Sequence, residues 1–222
     1  MKFACVILAA GKGSRLGRCK AALPFNNGET LLSHLIGVYI NTGVTNILVV
    51  TGYWKEETRK ATQNFSHMVN FVYNDNPAMG MFSSVCKGIS MLDNDVDYFF
   101  VHPVDIPLVK EETIIKMKNA VLKSNNNASW VVPECNNEKG HPVLISSTLI
   151  PELLNWNGEQ GLRGFLSSQV NNRKIEYVND EGTIFDIDNQ EQWSALPMDG
   201  QALRRTWMSE SDVVCKRKNT KE

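Results

Sequence analysis

Hydrophobic positions in this chain fall into short uninterrupted runs, separated by stretches with helical spacing. Residues 3–9 form a continuous apolar run, the pattern of a strand buried on both faces of a parallel sheet. Residues 31–40 place Leu31, Leu32, Leu35, Ile36 and Tyr39 on one helical face and stop at Asn41-Thr42-Gly43, with glycine where a helix favours it just past its C-cap. Strands predicted at 47–51, 69–73 and 98–101 alternate with helices at 55–64, 83–92 and 111–123, the last opened by acidic residues that suit a helix N-terminus. The second half is less regular. Residues 129–132 and 142–145 read as strands around a polar loop at 134–140, helical segments follow near 148–155 and 162–169, and strands near 174–178 and 183–187. This alternation predicts an α/β fold, a Rossmann-like three-layer α/β/α sandwich with a mostly parallel central sheet. The pattern fades after Pro197, so residues 1–195 read as the domain. Residues 196–222, which close on Lys216-Arg217-Lys218-Asn219-Thr220-Lys221-Glu222, read as a C-terminal extension, helical or disordered, with a solvated tail.

Composition narrows the class. The 222 residues suit one large domain, or one domain and a short extension, at about 150 residues per domain. Hydrophobic residues at 42% and charged residues at 21% exclude wholesale disorder. A net charge of −1 leaves no global field to hold nucleic acid or an anionic membrane, so any anion site must be local. The longest apolar run, residues 3–10, is far short of the roughly 20 residues a membrane span needs. With Met1-Lys2 before it the run has the outline of a minimal signal peptide, but Gly11-Lys12-Gly13-Ser14-Arg15 is a poor cleavage region and a good strand-to-helix loop. Cys5, Cys19, Cys86, Cys135 and Cys215 are odd in number and widely spaced, with no CxxC pair. They argue against a disulfide framework or structural zinc and for a reducing, cytoplasmic location.

Candidate chemistry concentrates in the loop after the first strand. Ligands of open α/β sheets bind at the carboxyl ends of strands, and here that segment is glycine-rich. Glycines let backbone N–H groups approach a polyphosphate closely. Lys12, Arg15, Arg18 and Lys20 lie within nine residues of an otherwise neutral chain, which points to a phosphate-rich ligand. The spacing departs from GxxxxGK[ST], and from GxGxxG as well, because Leu16 stands where the third glycine belongs.

The run Leu8-Ala9-Ala10-Gly11-x-Gly13-x-Arg15-x-Gly17-x-x-Lys20-x-x-Leu23-Pro24 resembles the signature of nucleotidyltransferases that attach a nucleoside monophosphate to a phosphorylated acceptor. The branch it is most similar to is that of the molybdenum cofactor cytidylyltransferases and guanylyltransferases. Sugar-1-phosphate and phosphocholine nucleotidyltransferases share the same opening. Three later segments carry the resemblance to about residue 195. Asn76-Pro77-Ala78-Met79-Gly80-Met81-Phe82-Ser83-Ser84 resembles the loop that recognises base and ribose, and is equally compatible with an ordinary capped helix start. His102-Pro103-Val104-Asp105-Ile106-Pro107 places Asp105 where the family has a metal-binding carboxylate, at a strand end beside the glycine loop. Phe185-Asp186-Ile187-Asp188 resembles the family's Asp-Ile-Asp ending, in which alternation puts Asp186 and Asp188 on one face; Asp186 is taken as the second metal ligand. Gly140-His141-Pro142 and Glu159-Gln160-Gly161-Leu162-Arg163-Gly164 have counterparts in the acceptor half, with His141 and Arg163 as candidate acceptor contacts.

The resemblance implies an NTP transferase domain over residues 1–195 and a Mg²⁺-dependent transfer of NMP to a phosphorylated small molecule, with pyrophosphate released. It casts Arg15, Lys20 and Asp105 as catalytic, and Leu8, Ala9, Ala10, Gly11, Gly13, Ser14, Asn76, Gly80, Ser83 and Ser84 as nucleotide-binding. Ala9-Ala10, where guanylyl-transferring relatives carry Gly-Gly, favours CTP over GTP. Molybdopterin is the acceptor the resemblance favours, with a second copy of the chain or a molybdoenzyme-maturation protein as partner. Two alternatives stand beside this reading: the same reaction on a sugar phosphate or phosphocholine, and a nucleotide-binding regulatory module without turnover.

Overall fold

The computed structural model describes residues 1–123 and 128–196; of the extension expected at residues 196–222, all but Leu196 lies outside the described residues. Its strands are β1 (Phe3–Ala9), β2 (Asn46–Thr51), β3 (Val69–Tyr73), β4 (Tyr98–Pro103), β5 (Trp130–Cys135), β6 (Glu138–Lys139), β7 (Val143–Ser146) and β8 (Arg173–Tyr177). The helices are α1 (Leu31–Asn41), α2 (Lys55–Lys60), α3 (Met81–Ile89), α4 (Glu111–Lys123), α5 (Ile150–Leu154), α6 (Gly161–Ser168) and α7 (Gln190–Ser194). All eight strands belong to one sheet, ordered β3-β2-β1-β4-β7-β5-β6 with β8 paired to β5. Pairings β1–β2, β1–β4, β2–β3 and β5–β8 are parallel, and β7 runs antiparallel to both β4 and β5. Trp130 and Val131 face Ile145 and Leu144, while Glu134 and Cys135 face Lys139 and Glu138. Since Trp130–Glu134 also pairs with β8, β6 and β7 must share one edge of β5 as an interrupted strand.

Alternation along β1 explains its unbroken apolar run. Cys5, Ile7 and Ala9 pack on one face of the sheet with Leu35, Ile36 and Tyr39 of α1 and with Ile114 and Met117 of α4. Ala4, Val6 and Leu8 pack on the other with Val85 and Ile89 of α3, Leu153 of α5 and Phe165 of α6. Helices therefore cover both faces, as the sequence pattern predicts. Thr30 and Ser33 form a reciprocal capping box that fixes the start of α1. Between β1 and β4 the strand order reverses, so the loop leaving β1 opens onto the crevice where α/β sheets hold ligands.

A third cluster lies off the sheet. Leu16, Leu23, Phe25 and Leu31 pack against Ile187, Trp193 and Leu196, and Trp193 Nε1–H donates to the Pro24 carbonyl at 3.2 Å. This cluster holds the segment around α7 against the loop after β1. The strand expected at 183–187 is absent: Glu181–Thr183 is a single 3₁₀ turn, capped by Asp180. The Ile187 N–H bonds to the Asp105 carbonyl at 2.8 Å, an isolated contact with a loop instead of a ladder. The helix expected over 55–64 stops at Lys60, and Gln63–Phe65 continues as a 3₁₀ turn. Among the described residues no helix is long and apolar enough to cross a membrane.

His102 on β4 is fully buried, its Nε2–H donating to the Ile106 carbonyl and its Nδ1 accepting from the Tyr39 hydroxyl, both at 2.8 Å. Burial, against a smaller opposing effect of the Ile106 bond, lowers its pKa from 6.5 to about 3. Between those values the unfolded chain binds a proton that the folded chain does not, so stability contributed by neutral His102 is complete above pH 6.5 and is lost as pH falls toward 3. Urea melts from pH 7 to pH 4.5 should lose up to about 1.4 kcal/mol per pH unit from this group, and His102→Gln should remove that component of the slope.

Candidate active site

The glycine-rich loop after β1 is the floor of a cleft of about 590 Å³. Its turn is built at Gly13, whose φ of +61° suits glycine and whose carbonyl accepts from the N–H groups of Leu16 and Gly17 at 3.0 and 2.8 Å. Trp54 Nε1–H donates to the Lys12 carbonyl at 2.8 Å and pins the loop to the start of α2. At the end of β2, Gly52 lets the chain pass close to Ala10 and Pro77; a Cβ there would stand 2.7 Å from the Ala10 carbonyl oxygen.

Opposite the floor, Gly80 (φ +89°) precedes α3 and turns its N-terminus toward the cleft. Asn74, buried at the end of β3, organises this wall. Its amide N–H groups donate to Ser83 Oγ and Ser84 Oγ at 2.9 Å each, and its Oδ1 accepts from the Asn76 N–H at 3.0 Å.

The charged rim comes from three distant parts of the chain. Lys20 Nζ donates to Asp105 Oδ2 and to Asp188 Oδ1, each at 2.8 Å. Arg15 Nη1 donates to the other oxygen of Asp188. Two cations and two carboxylates thus make a group with no net charge. Burial works against the Lys20 charge, but the attraction and hydrogen bonds of Asp105 and Asp188 prevail and raise its pKa. The Lys20 hydrogen bond is the main cause that lowers the pKa of Asp188, with Arg15 adding to it. The ammonium keeps the two carboxylates side by side where like charges would otherwise repel.

Of the sequence candidates, Leu8, Ala9, Ala10, Gly11, Gly13, Ser14, Arg15, Lys20, Gly80, Ser84 and Asp105 line the cleft. Asn76, which is exposed, and Ser83 are outside the lining, and Ser83 Oγ donates to the Gly80 carbonyl at 2.8 Å. His141 lies outside the lining; burial lowers its pKa, against the opposing pull of Asp105. Arg163 is exposed on α6, also away from the lining. Asp186 is exposed and outside the cleft lining, and Asp188 is the carboxylate that meets Lys20. The Ile187–Asp105 bond and the burial of Ile187 fix residue 188 beside Asp105 and leave residue 186 short of it. Sequence reasoning also missed Asn74, Gly52 and Tyr53, which lines the cleft. Only Gly52, directly after an apolar run, carried a signal of close approach.

A divalent cation fits this donor set. Asp105 and Asp188 offer two carboxylates at a cleft edge, and Mg²⁺ takes one or two carboxylates while phosphate oxygens and water complete its shell. Among the described residues no three His, Cys, Asp or Glu side chains converge into a cage that would bind a metal alone.

Three comparisons bear on this cleft. The family described as MobA-like NTP transferase domain matches residues 5–174. The molybdenum cofactor cytidylyltransferase of Escherichia coli (strain K12) is 26% identical over 189 residues, which span 85% of this chain and 92% of that protein. Among solved structures, a nucleotidyl transferase from Methanothermobacter thermautotroptrophicus superposes with a TM-score of 0.71 at 19% identity, over 87% of this chain and 94% of its own. The Mycobacterium tuberculosis protein Rv0371c superposes with a TM-score of 0.72 at 19% identity, over 87% of this chain and 96% of its own. A manganese complex of that mycobacterial protein, Rv0371c, superposes with a TM-score of 0.67 at 18% identity, over 87% of this chain and 97% of its own.

Gly13→Ala would force a side chain onto the left-handed turn and into the Arg18 carbonyl, whereas Gly11 has open space around it. Gly13→Ala should lower stability by about 1–3 kcal/mol in thermal melts, and Gly11→Ala by less than about 0.5 kcal/mol.

Proposed function

Since the chain belongs to the MobA-like NTP transferase family, whose reaction class is nucleotidyl transfer, we propose that it moves CMP, in preference to GMP, from an NTP to a phosphorylated acceptor. Molybdopterin is the acceptor we favour, and residues 1–195 would form the transferase domain. The observation that carries this reading is the Lys20 ammonium shared by Asp105 and Asp188 at the mouth of the glycine-loop cleft. The likeness to the cytidylyltransferase over nearly its whole length supports the choice of base and acceptor.

An acceptor phosphate oxygen attacks the α-phosphorus in line, and pyrophosphate leaves with its bonding electrons. No covalent intermediate with the protein is required, so the residues act by positioning and by electrostatics. N–H groups of residues 11–14 and the Arg15 guanidinium receive the triphosphate, which offers Arg15 and Lys20 more negative partners than the carboxylates they hold in its absence. Lys20 then stands beside the α-phosphate and stabilises charge building there. Asp105 and Asp188 would hold Mg²⁺, whose chemistry when bound is to neutralise charge on the departing pyrophosphate. The wall ordered by Asn74 would take the base and ribose through Gly80 and Ser84. His141 and Arg163, outside the cleft, would meet the acceptor.

The test is pyrophosphate release with each of the four NTPs, first with molybdopterin, then with sugar phosphates and phosphocholine. Release should be fastest with CTP and molybdopterin. Lys20→Met should cost about 10²–10³ in kcat, the scale of one preorganised donor. Asp105→Ala and Asp188→Asn should be comparably impaired, while Asp186→Asn should stay within about twofold of the wild type, as surface changes usually do. Turnover confined to another phosphate would move the acceptor. Tight NTP binding with no turnover on any of them would make the protein a non-catalytic nucleotide-binding module, and absence of NTP binding would end the reading.

A further inference from the structure

A buried polar group beneath the cleft takes no part in the chemistry above. The ring of His102 is wholly shielded from water at 0% exposure and stands edge-on to Tyr39, centroids 5.6 Å apart. Both its nitrogens are used, Nδ1 by the Tyr39 hydroxyl and Nε2–H by the Ile106 carbonyl. An apolar side chain would fill the same space without the desolvation that an imidazole and a phenol incur. What the polar pair adds is direction, because a fully satisfied buried network specifies one arrangement of the chain it touches.

That arrangement is the Asp105 loop. His102 and Ile106 flank it, so the imidazole bond closes residues 102–106 into a ring. Within the ring the Ile106 N–H bonds to the Pro103 carbonyl at 3.2 Å, and the Val104 N–H returns to Leu8 of β1 at 3.1 Å. The outer side is held by the Ile187 N–H on the Asp105 carbonyl at 2.8 Å. The backbone of Asp105 is therefore fixed from the core by His102 and from the rim by Ile187.

We infer that His102, seated by Tyr39, is a positioning residue that aims the Asp105 carboxylate at Lys20 and at the cleft. The inference rests on the proposed role of Asp105, and it concerns how that carboxylate is placed. In transfer reactions of this kind a displacement of about 1 Å costs about 10²-fold in rate, so a loop held from only one side should lose turnover while still binding nucleotide.

The experiment compares His102→Leu, His102→Gln and Tyr39→Phe with Phe100→Leu, a change to the same core beside Tyr39 that removes none of the hydrogen bonds of the ring. Each is measured for kcat and for KM with NTP, and for amide exchange at Ile187. His102→Leu should lower kcat by about 10–100-fold with KM within about threefold, and should speed Ile187 exchange. His102→Gln, whose amide N–H can reach the Ile106 carbonyl, should recover most of both. Phe100→Leu should leave kcat within about twofold at an equal fraction folded. Loss of kcat no greater in His102→Leu than in Phe100→Leu, or no rescue by glutamine, overturns the inference. If His102→Leu does not fold, Tyr39→Phe decides: an unchanged kcat and Ile187 exchange overturn it, and a fall in kcat at constant KM with faster exchange supports it. A wild type without turnover defeats the functional reading alone, and the exchange of Ile187 then decides whether His102 holds the loop.

Discussion

Two carboxylates placed side by side at the mouth of a cleft repel, and the structure is organised around the one group that prevents it. Lys20 Nζ donates to both carboxylates alike, at 2.8 Å to Asp105 and 2.8 Å to Asp188. Arg15 completes the compensation on the far oxygen of Asp188. Because the group is neutral as a whole, it is stable without a ligand. Because its members are an ammonium, a guanidinium and two carboxylates, it can also be reassembled around phosphates. An anionic ligand competes for the cations, and whatever carboxylate charge is thereby released becomes available to a metal ion.

Each member is delivered by a different kind of packing. Lys20 leaves the loop after β1, which is pinned by Trp54 and by the turn at Gly13. Asp105 stands at the end of a central strand whose loop is tied down by His102. Asp188 precedes a short helix with little hold of its own, and depends on the third apolar cluster, in which Trp193 is fully buried against Leu23 and Phe25. The small satellite core away from the sheet thus has a function that its size conceals: it places a carboxylate.

What the sequence made legible was what local patterning determines. A continuous apolar run can satisfy its backbone only by pairing on both edges and being covered on both faces, so β1 and its exit loop were readable from residues 3–20. Asp105 was readable through the family resemblance of residues 102–107, two positions past the end of β4. The choice between Asp186 and Asp188 was beyond local reasoning, since alternation treats them alike. A backbone bond from Ile187 to Asp105 separates them, and nothing within residues 185–188 announces a partner more than eighty positions away. Asn74 was hidden for another reason: a polar side chain after a strand looks like ordinary turn chemistry, and its two serine partners lie on the next helix. The expected strand at 183–187 failed because hydrophobic alternation there serves the satellite core and not the sheet.

The sequence separation within the charged group has a consequence for how the molecule matures. Lys20 and Asp105 are 85 positions apart, and Lys20 and Asp188 are 168 apart. Such contacts form late, because long loops must close before they are rewarded. A nascent chain emerging from the ribosome can pair β1 with β2 and β4 and shape the glycine loop well before residue 188 has been made. During that interval Lys20 has one carboxylate and Arg15 has none, so the cleft carries an excess of positive charge. The packing of Trp193 against Leu23 and Phe25 holds the segment that brings Asp188 to Lys20 and Arg15, so the cleft is neutralised only once that segment has been made.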